Sequence, residues 1–281
     1  MLTANMKHKY RLVAIDMDGT LLRHDKTIGE RSVRAVNTAL QQGTEVLLCT
    51  GRSRIQFERY MVDFPEMRYA ISSSGAVVYD LLADWKKIIS NEMPAEVVLK
   101  ILRYADTVDC FPIMSVAGKT VYTGEMAPLA AEYGLGAYTY ELSNFGTGVK
   151  SVQSWYRERP QPVESLSLYF RDRSFREDAV EALKDLPLYF ALPGEPAVEM
   201  SMQTANKGYA LTKLCEMLDI PLTAAVAIGD SDNDMPMLRV AGLAVASGNA
   251  PEAVKSAVDY VTLDCDHDGV GAAIEQFILN P

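Results

Sequence analysis

The stretch Leu12-Val13-Ala14-Ile15-Asp16-Met17-Asp18-Gly19-Thr20 sets four aliphatic residues directly against a turn made of two acids, a glycine and a threonine. Unbroken apolarity, without polar alternation, suits a strand covered on both faces in a parallel sheet. Five further runs share that character, at 45–49, 69–72, 224–228, 243–246 and 260–263. Helical periodicity lies between them. It extends from about Ile28 to Gln42, with Ile28, Val33, Val36 and Leu40 on one face and Gly43 as the stop. It resumes at Lys207, carrying Ala210, Leu211, Leu214 and Leu218 inward, and in shorter pieces at 236–240, 251–258 and 270–279. Strands alternating with helices predict an α/β domain with a doubly wound parallel sheet.

The middle of the chain has a different texture. Helical patterns at 94–106 and 176–186 stand among alternating or aromatic strands at 109–116, 119–123, 164–170, 188–192 and 197–202. This predicts an α+β domain at 86–199, inserted so that the parallel-sheet domain is split into 1–85 and 200–281. The stretch 143–162, with its Gly, Pro and Ser, reads as the loosest part of the insert.

Composition narrows the function. Of 281 residues, 48% are hydrophobic and 23% charged, with a net charge of −10. Such a chain is too apolar to be disordered, and too acidic to work by neutralising nucleic-acid phosphates or docking on an anionic membrane. The excess is uneven: 11 basic against 10 acidic residues in 1–85, but 4 against 11 in 200–281. No apolar run approaches the ~18 residues needed to span a bilayer. Cys49, Cys110, Cys215 and Cys265 show no metal-type pairing, so the chain is expected to be reduced and cytoplasmic. His8, His24 and His267 have no ligand spacing and are expected at the surface.

In an open parallel sheet, ligands bind at the carboxyl ends of the strands. The predicted strands run into Asp16-Met17-Asp18-Gly19-Thr20, Thr50-Gly51-Arg52, Ser73-Ser74-Gly75, Gly229-Asp230-Ser231-Asp232-Asn233-Asp234 and Gly248-Asn249. One edge of the sheet thereby collects Asp16, Asp18 and Asp230. Two carboxylates ~4 Å apart repel by roughly 4 kcal/mol at an effective dielectric near 20, so such a group requires a cation or raised pKa values. All-oxygen ligation suits a hard divalent ion, above all Mg²⁺. Thr50 and Gly51 offer a hydroxyl and an N–H to an anion, and Lys207 at a helix start adds a mobile positive charge. The edge is suited to a metal and a phosphate together.

Asp16-x-Asp18-Gly19-Thr20, Thr50-Gly51-Arg52, Asn206-Lys207-Gly208 and Gly229-Asp230-x-x-Asn233-Asp234 resemble, in order and spacing, the four motifs of the haloacid dehalogenase superfamily. The similarity is to its Cof-type phosphatase branch, whose members carry a large α/β cap (type IIB), and it covers the whole split domain. The resemblance implies a Rossmann-like core with the insert as a substrate-selecting cap. It also implies a Mg²⁺-dependent phosphatase of small phosphorylated metabolites, sugar phosphates or related monoesters. Asp16 would be the nucleophile forming an aspartyl-phosphate, and Asp18 the general acid and then base. Asp16, the backbone carbonyl of Asp18, and Asp230 would hold the metal. Met17 through its backbone, Thr50, Gly51, Lys207 and Asn233 would hold the phosphoryl oxygens, and Arg52 could reach toward substrate. Asp234 would orient Lys207 or a water on the metal. A phosphomutase or phosphotransferase with the same nucleophile, or a non-enzymatic phosphate or sugar-phosphate sensor, are the alternatives.

Two details depart from this picture. Where the branch usually has Asn-Gly-Ala after the third strand, this chain has Ser74-Gly75-Ala76. Separately, Asp264-x-Asp266-x-Asp268-Gly269 followed by Glu275 satisfies the EF-hand calcium pattern, but a strand rather than a helix precedes it, so calcium is not expected there.

Overall fold

A computed structural model describes residues 9–136, 139–192 and 196–280, so His8 lies outside the described residues. The chain divides into two compact units: one made of Met1–Gly51, Tyr60–Ser90 and Asn206–Pro281, the other of Arg52–Arg59 and Asn91–Ala205.

The first unit is built on an eight-stranded sheet. Its strands are β1 (Leu12–Ile15), β2 (Glu45–Cys49), β3 (Tyr69–Ser72), β4 (Val77–Asp80) and β5 (Lys86–Ser90). The second unit carries β6 (Phe111–Val116), β7 (Lys119–Thr123), β8 (Gly146–Val149), β9 (Ser165–Tyr169), β10 (Leu188–Ala191) and β11 (Ala197–Met202). The chain then returns with β12 (Ala225–Gly229), β13 (Leu243–Ala246) and β14 (Tyr260–Val261). The first sheet runs β14-β13-β12-β1-β2-β3-β4-β5. From β14 to β3 every pairing is parallel, and β4 and β5 extend the edge antiparallel. All four residues of β1 are fully buried, as its unbroken aliphatic run requires. Because β5 pairs with β4, residues 86–90 belong to this unit, and the division falls after Ser90 and Ala205 rather than at 85 and 199.

Helix α1 (Glu30–Gln41) buries Ser32, Ala35, Val36 and Ala39, a face turned from the one the larger apolar residues suggest; small side chains there permit close approach to the chain near Gly271. The later helix over Lys207–Met217 buries Ala210, Leu211, Leu214 and Cys215. Its start is fixed by the Asn206 side chain, which accepts from the Tyr209 N–H at 2.9 Å.

In the second unit the sheet order is β10-β11-β9-β6-β7-β8, antiparallel except for the β7–β8 pair. Residues 143–162, expected to be loose, are ordered. Gly146–Val149 forms the edge strand β8, and Val152–Glu158 forms a helix whose first turn is capped by Ser151 Oγ. Val152 and Tyr156, four apart and both buried, are the packing that outweighs the Gly and Ser content. The short segment Arg52–Arg59 joins this unit: Ser53 Oγ lies 2.9 Å from Thr120 Oγ1, and the Ile55 N–H donates to the Gly118 carbonyl at 3.0 Å. Among the described residues no helix is long and apolar enough to cross a membrane.

Gly208 sits where a Cβ would collide with the Pro236 backbone carbonyl. Gly208→Ala is expected to destabilise the protein by about 1–3 kcal/mol, read as a lower urea midpoint at unchanged slope.

Candidate active site

Within the first unit, the carboxyl ends of β1 and β12 are neighbours, with Ile15 registered against Ile228. Asp16 therefore leaves β1 beside the turn that follows β12, its N–H donating to the Ile228 carbonyl at 2.9 Å. The Met17 carbonyl accepts the N–H groups of Leu22 at 2.7 Å and Thr20 at 3.3 Å, which folds the acidic turn back on itself. Gly19 has φ +79°, and a Cβ there would run into the Asp230 carboxylate. Glycine is thus needed at that point both for conformation and for space.

Lys207 is the centre of the cluster. Far from being mobile, it is fully buried, and its ammonium donates to Asp16 Oδ1 at 2.6 Å and Asp234 Oδ1 at 2.6 Å, with Asn233 Oδ1 at 3.5 Å. Asp234, also fully buried, uses Oδ2 to accept the N–H groups of Asp230 at 2.9 Å and Ser231 at 3.0 Å. Thr20 Oγ1 donates to Asp230 Oδ1 at 3.2 Å. Asp16, Asp230 and Asp234 each bring an oxygen within 4.8 Å of the others.

Charge accounting explains the acidities. Burial acts to lower Lys207, but Asp16 and Asp234 together outweigh it and hold the ammonium above the ordinary lysine value. Burial pushes the Asp16 carboxyl well above the carboxylate range; Asp234 adds to this and Lys207 opposes it. Burial, then Asp234, push Asp230 up to about 6. Three carboxylates facing one ammonium leave two negative charges uncompensated when all are ionised, the charge of one divalent cation. Asp234 is already engaged by Lys207 and two backbone N–H groups, so Asp16 and Asp230 are the side chains with oxygen capacity left for an ion.

The other residues singled out by sequence are placed as follows. Asp18 is half-exposed and paired with Lys26, whose Nζ lies 2.8 Å from Oδ1. Thr50 is buried at the end of β2; its N–H donates to the Ile71 carbonyl at 2.9 Å and its carbonyl accepts the Ser74 N–H at 3.0 Å. A Cβ at Gly51 would stand 3.3 Å from Ser74 Oγ. Arg52 belongs to the second unit, where its guanidinium donates to the Gln56 carbonyl at 3.3 Å. Burial pushes the Cys49 thiol up, so it is an inert neighbour of the cluster.

Ser73 and Ser74 do not simply end a strand: both take left-handed backbone, φ 50° and 55°. Asn adopts that region several-fold more readily than most residues, which gives the Asn of the resembling branch a conformational reason. Sequence reasoning assigned no role to Lys26, Thr20 or Asn249. Asn249 donates to the Gly19 carbonyl at 2.8 Å and so braces the acidic turn from the end of β13. The latter two lay inside quoted turns; nothing local marked Lys26.

Over residues 13–274 the chain matches the family described as haloacid dehalogenase-like hydrolase. It is 28% identical over 293 residues to "Phosphatase YwpJ" of Bacillus subtilis (strain 168), covering 95% of this chain and 100% of that protein. It is 28% identical over 275 residues to "5-amino-6-(5-phospho-D-ribitylamino)uracil phosphatase YcsE" of the same organism, covering 96% of each. Among solved structures, a haloacid dehalogenase-like hydrolase from Bacteroides thetaiotaomicron superposes with a TM-score of 0.82 at 26% identity, over 95% of this chain and 99% of that one.

Lys207→Met leaves buried carboxylates without their cation, a change of the order of 3–5 kcal/mol. Carboxyls with raised pKa values lose stability as pH rises through those values. The deficit of this variant relative to the parent, measured by chemical denaturation, is therefore expected to be large at pH 7.5 and to shrink at pH 5.

Proposed function

Because the chain belongs to the haloacid dehalogenase-like hydrolases, we propose that it is a Mg²⁺-dependent phosphatase of small phosphorylated metabolites, acting through an aspartyl-phosphate on Asp16. The observation that carries this reading is the buried Lys207 ammonium held 2.6 Å from both Asp16 and Asp234, with Asp230 in the same cluster.

Asp16 attacks phosphorus with one carboxylate oxygen, and the bond from phosphorus to the leaving alcohol breaks as the new one forms. Asp18 protonates the departing oxygen, then takes a proton from the water that attacks the aspartyl-phosphate, releasing inorganic phosphate and restoring Asp16. The Lys26 pair on Asp18 is solvent-exposed, and such pairs contribute about 0–1 kcal/mol, so it yields readily when Asp18 must carry a proton. Lys207 holds the nucleophilic carboxylate in place and balances charge on the phosphoryl oxygens, which Thr50, Gly51, Asn233 and the Met17 N–H complete. Asp234 fixes Lys207. The oxygen donor set and its two-charge deficit suit Mg²⁺, with Asp16, the Asp18 carbonyl and Asp230 as its ligands; when bound it supplies positive charge that stabilises the transferring phosphoryl group.

Sugar phosphates or related monoesters are the substrate class we favour, supported by the ribityl phosphate in the name of one relative. The choice among them is assigned to the inserted unit, with Arg52 as its contribution. A reducing, cytoplasmic setting belongs to the same reading, since all four cysteines are free thiols.

A phosphate-release screen over sugar and sugar-alcohol monoesters tests this. Turnover is expected with Mg²⁺, falling more than about 10³-fold in Asp16→Asn. Absence of release across the panel, or transfer to a sugar hydroxyl in place of water, would overturn it. Since ligation needs ionised Asp230, whose carboxyl is pushed up to about 6, the rise in Tm on adding Mg²⁺ is expected to be greater at pH 7.5 than at pH 5.

A further inference from the structure

Among the described residues, two groups of His, Cys, Asp or Glu bring three ligand atoms within 4.8 Å of one another. One is the carboxylate cluster above. The other joins His24 to Cys265 and Asp266, and the hydrolysis proposed above uses none of them. We propose that His24 Nδ1, Cys265 Sγ and Asp266 Oδ2 form a second metal site, for a borderline divalent cation of the zinc class.

The donor set decides the class. One nitrogen, one sulfur and one oxygen suit zinc or its congeners, whereas a hard ion such as Mg²⁺ avoids a thiolate. His24 Nδ1 lies 2.7 Å from Asp266 Oδ2 and 3.8 Å from Cys265 Sγ. Zinc bond lengths of ~2.0–2.3 Å at tetrahedral angles put ligand atoms roughly 3.3–3.6 Å apart. The sulfur–nitrogen pair is therefore within a few tenths of an ångström of that spacing. The nitrogen–oxygen pair must open by about half an ångström, which the exposed His24 and Asp266 side chains allow.

Supporting contacts already orient the ligands. Asp266 Oδ1 accepts the backbone N–H of His24 at 3.1 Å, leaving Oδ2 on the imidazole side. The Cys265 N–H donates to Asn249 Oδ1 at 3.0 Å, holding the backbone that carries the buried thiol. Such outer contacts are what a metal site needs to hold its ligands in place. On binding, the Cys265 thiol gives its proton to solvent as the sulfur–metal bond forms, with no change of oxidation state, and a water completes four-coordination.

The site would act as a staple. His24 lies in the hairpin closed by the Leu22–Ile28 bridge, and the Arg23 N–H donates to the Thr27 carbonyl at 2.9 Å. That hairpin also carries Lys26, the partner of Asp18. Asn249 ties the same spot to the Gly19 carbonyl. The two metal sites thus share a scaffold and no ligand.

Cobalt(II) added to the full-length protein in excess Mg²⁺ tests the proposal. One equivalent is expected to give a near-ultraviolet thiolate-to-cobalt charge-transfer band. The band should vanish in Cys265→Ser, and affinity should fall more than about tenfold in His24→Ala and in Asp266→Asn. His24 is exposed, so its variant keeps the test decisive if Cys265→Ser fails to fold. Asp230→Asn should leave the band intact. Absence of the band in the parent, its survival without the Cys265 sulfur, or its loss in Asp230→Asn but not in His24→Ala would overturn the assignment.

Discussion

A buried lysine ammonium is the constraint around which the first unit is arranged. Moving such a charge out of water costs several kcal/mol even after relaxation. The cost is met here only because Asp16 and Asp234 converge on it. That convergence fixes three segments at one point: the end of β1, the start of the helix at Lys207, and the turn after β12. The Asn206 cap sets where the helix begins, and Gly229 admits the Asp234 side chain against its own backbone. None of these segments could shift by a residue without stranding a charge.

The parallel strands β1, β2 and β13 were legible because they are short aliphatic runs buried along almost their whole length, a pattern few other elements produce. The helix at Lys207 was legible from its inward residues. What the pattern did not carry was the depth of Lys207, since a lysine beginning a helix ordinarily points to water. Strand β5 was missed because an edge strand is only partly covered, and Lys86–Ser90 has no buried residue, whereas β4 is fully buried but only four residues long. In β8, two of four residues are glycine, so no side-chain pattern exists to read.

Contacts that no sequence spacing marks were the least legible. Lys26 meets Asp18 across a hairpin, and His24 meets Cys265 across 241 positions, a separation at which ligand-spacing rules are silent. The acids of the EF-hand spacing have partners within the protein. Asp268 accepts from Arg23 and Ser32 and Glu275 from Arg31, all across more than 230 positions, while Asp264 meets its neighbour His267. The spacing is that of a calcium loop, while the partners are cationic and polar side chains of the same chain.

The membership of Arg52–Arg59 in the second unit bears on how this architecture could be recombined. An insert bounded by two junctions can be exchanged between relatives as a cassette. Here the chain passes between units at four places, because eight residues beginning with Arg52, the last of the second motif, pack with β7 and leave Phe57 fully buried. A chimera that swaps only residues 91–205 keeps a native first unit but gives Ser53 and Ile55 foreign partners at Thr120 and Gly118. Exchange of the second unit between family members therefore calls for a two-piece graft, and the smaller piece begins directly after Gly51.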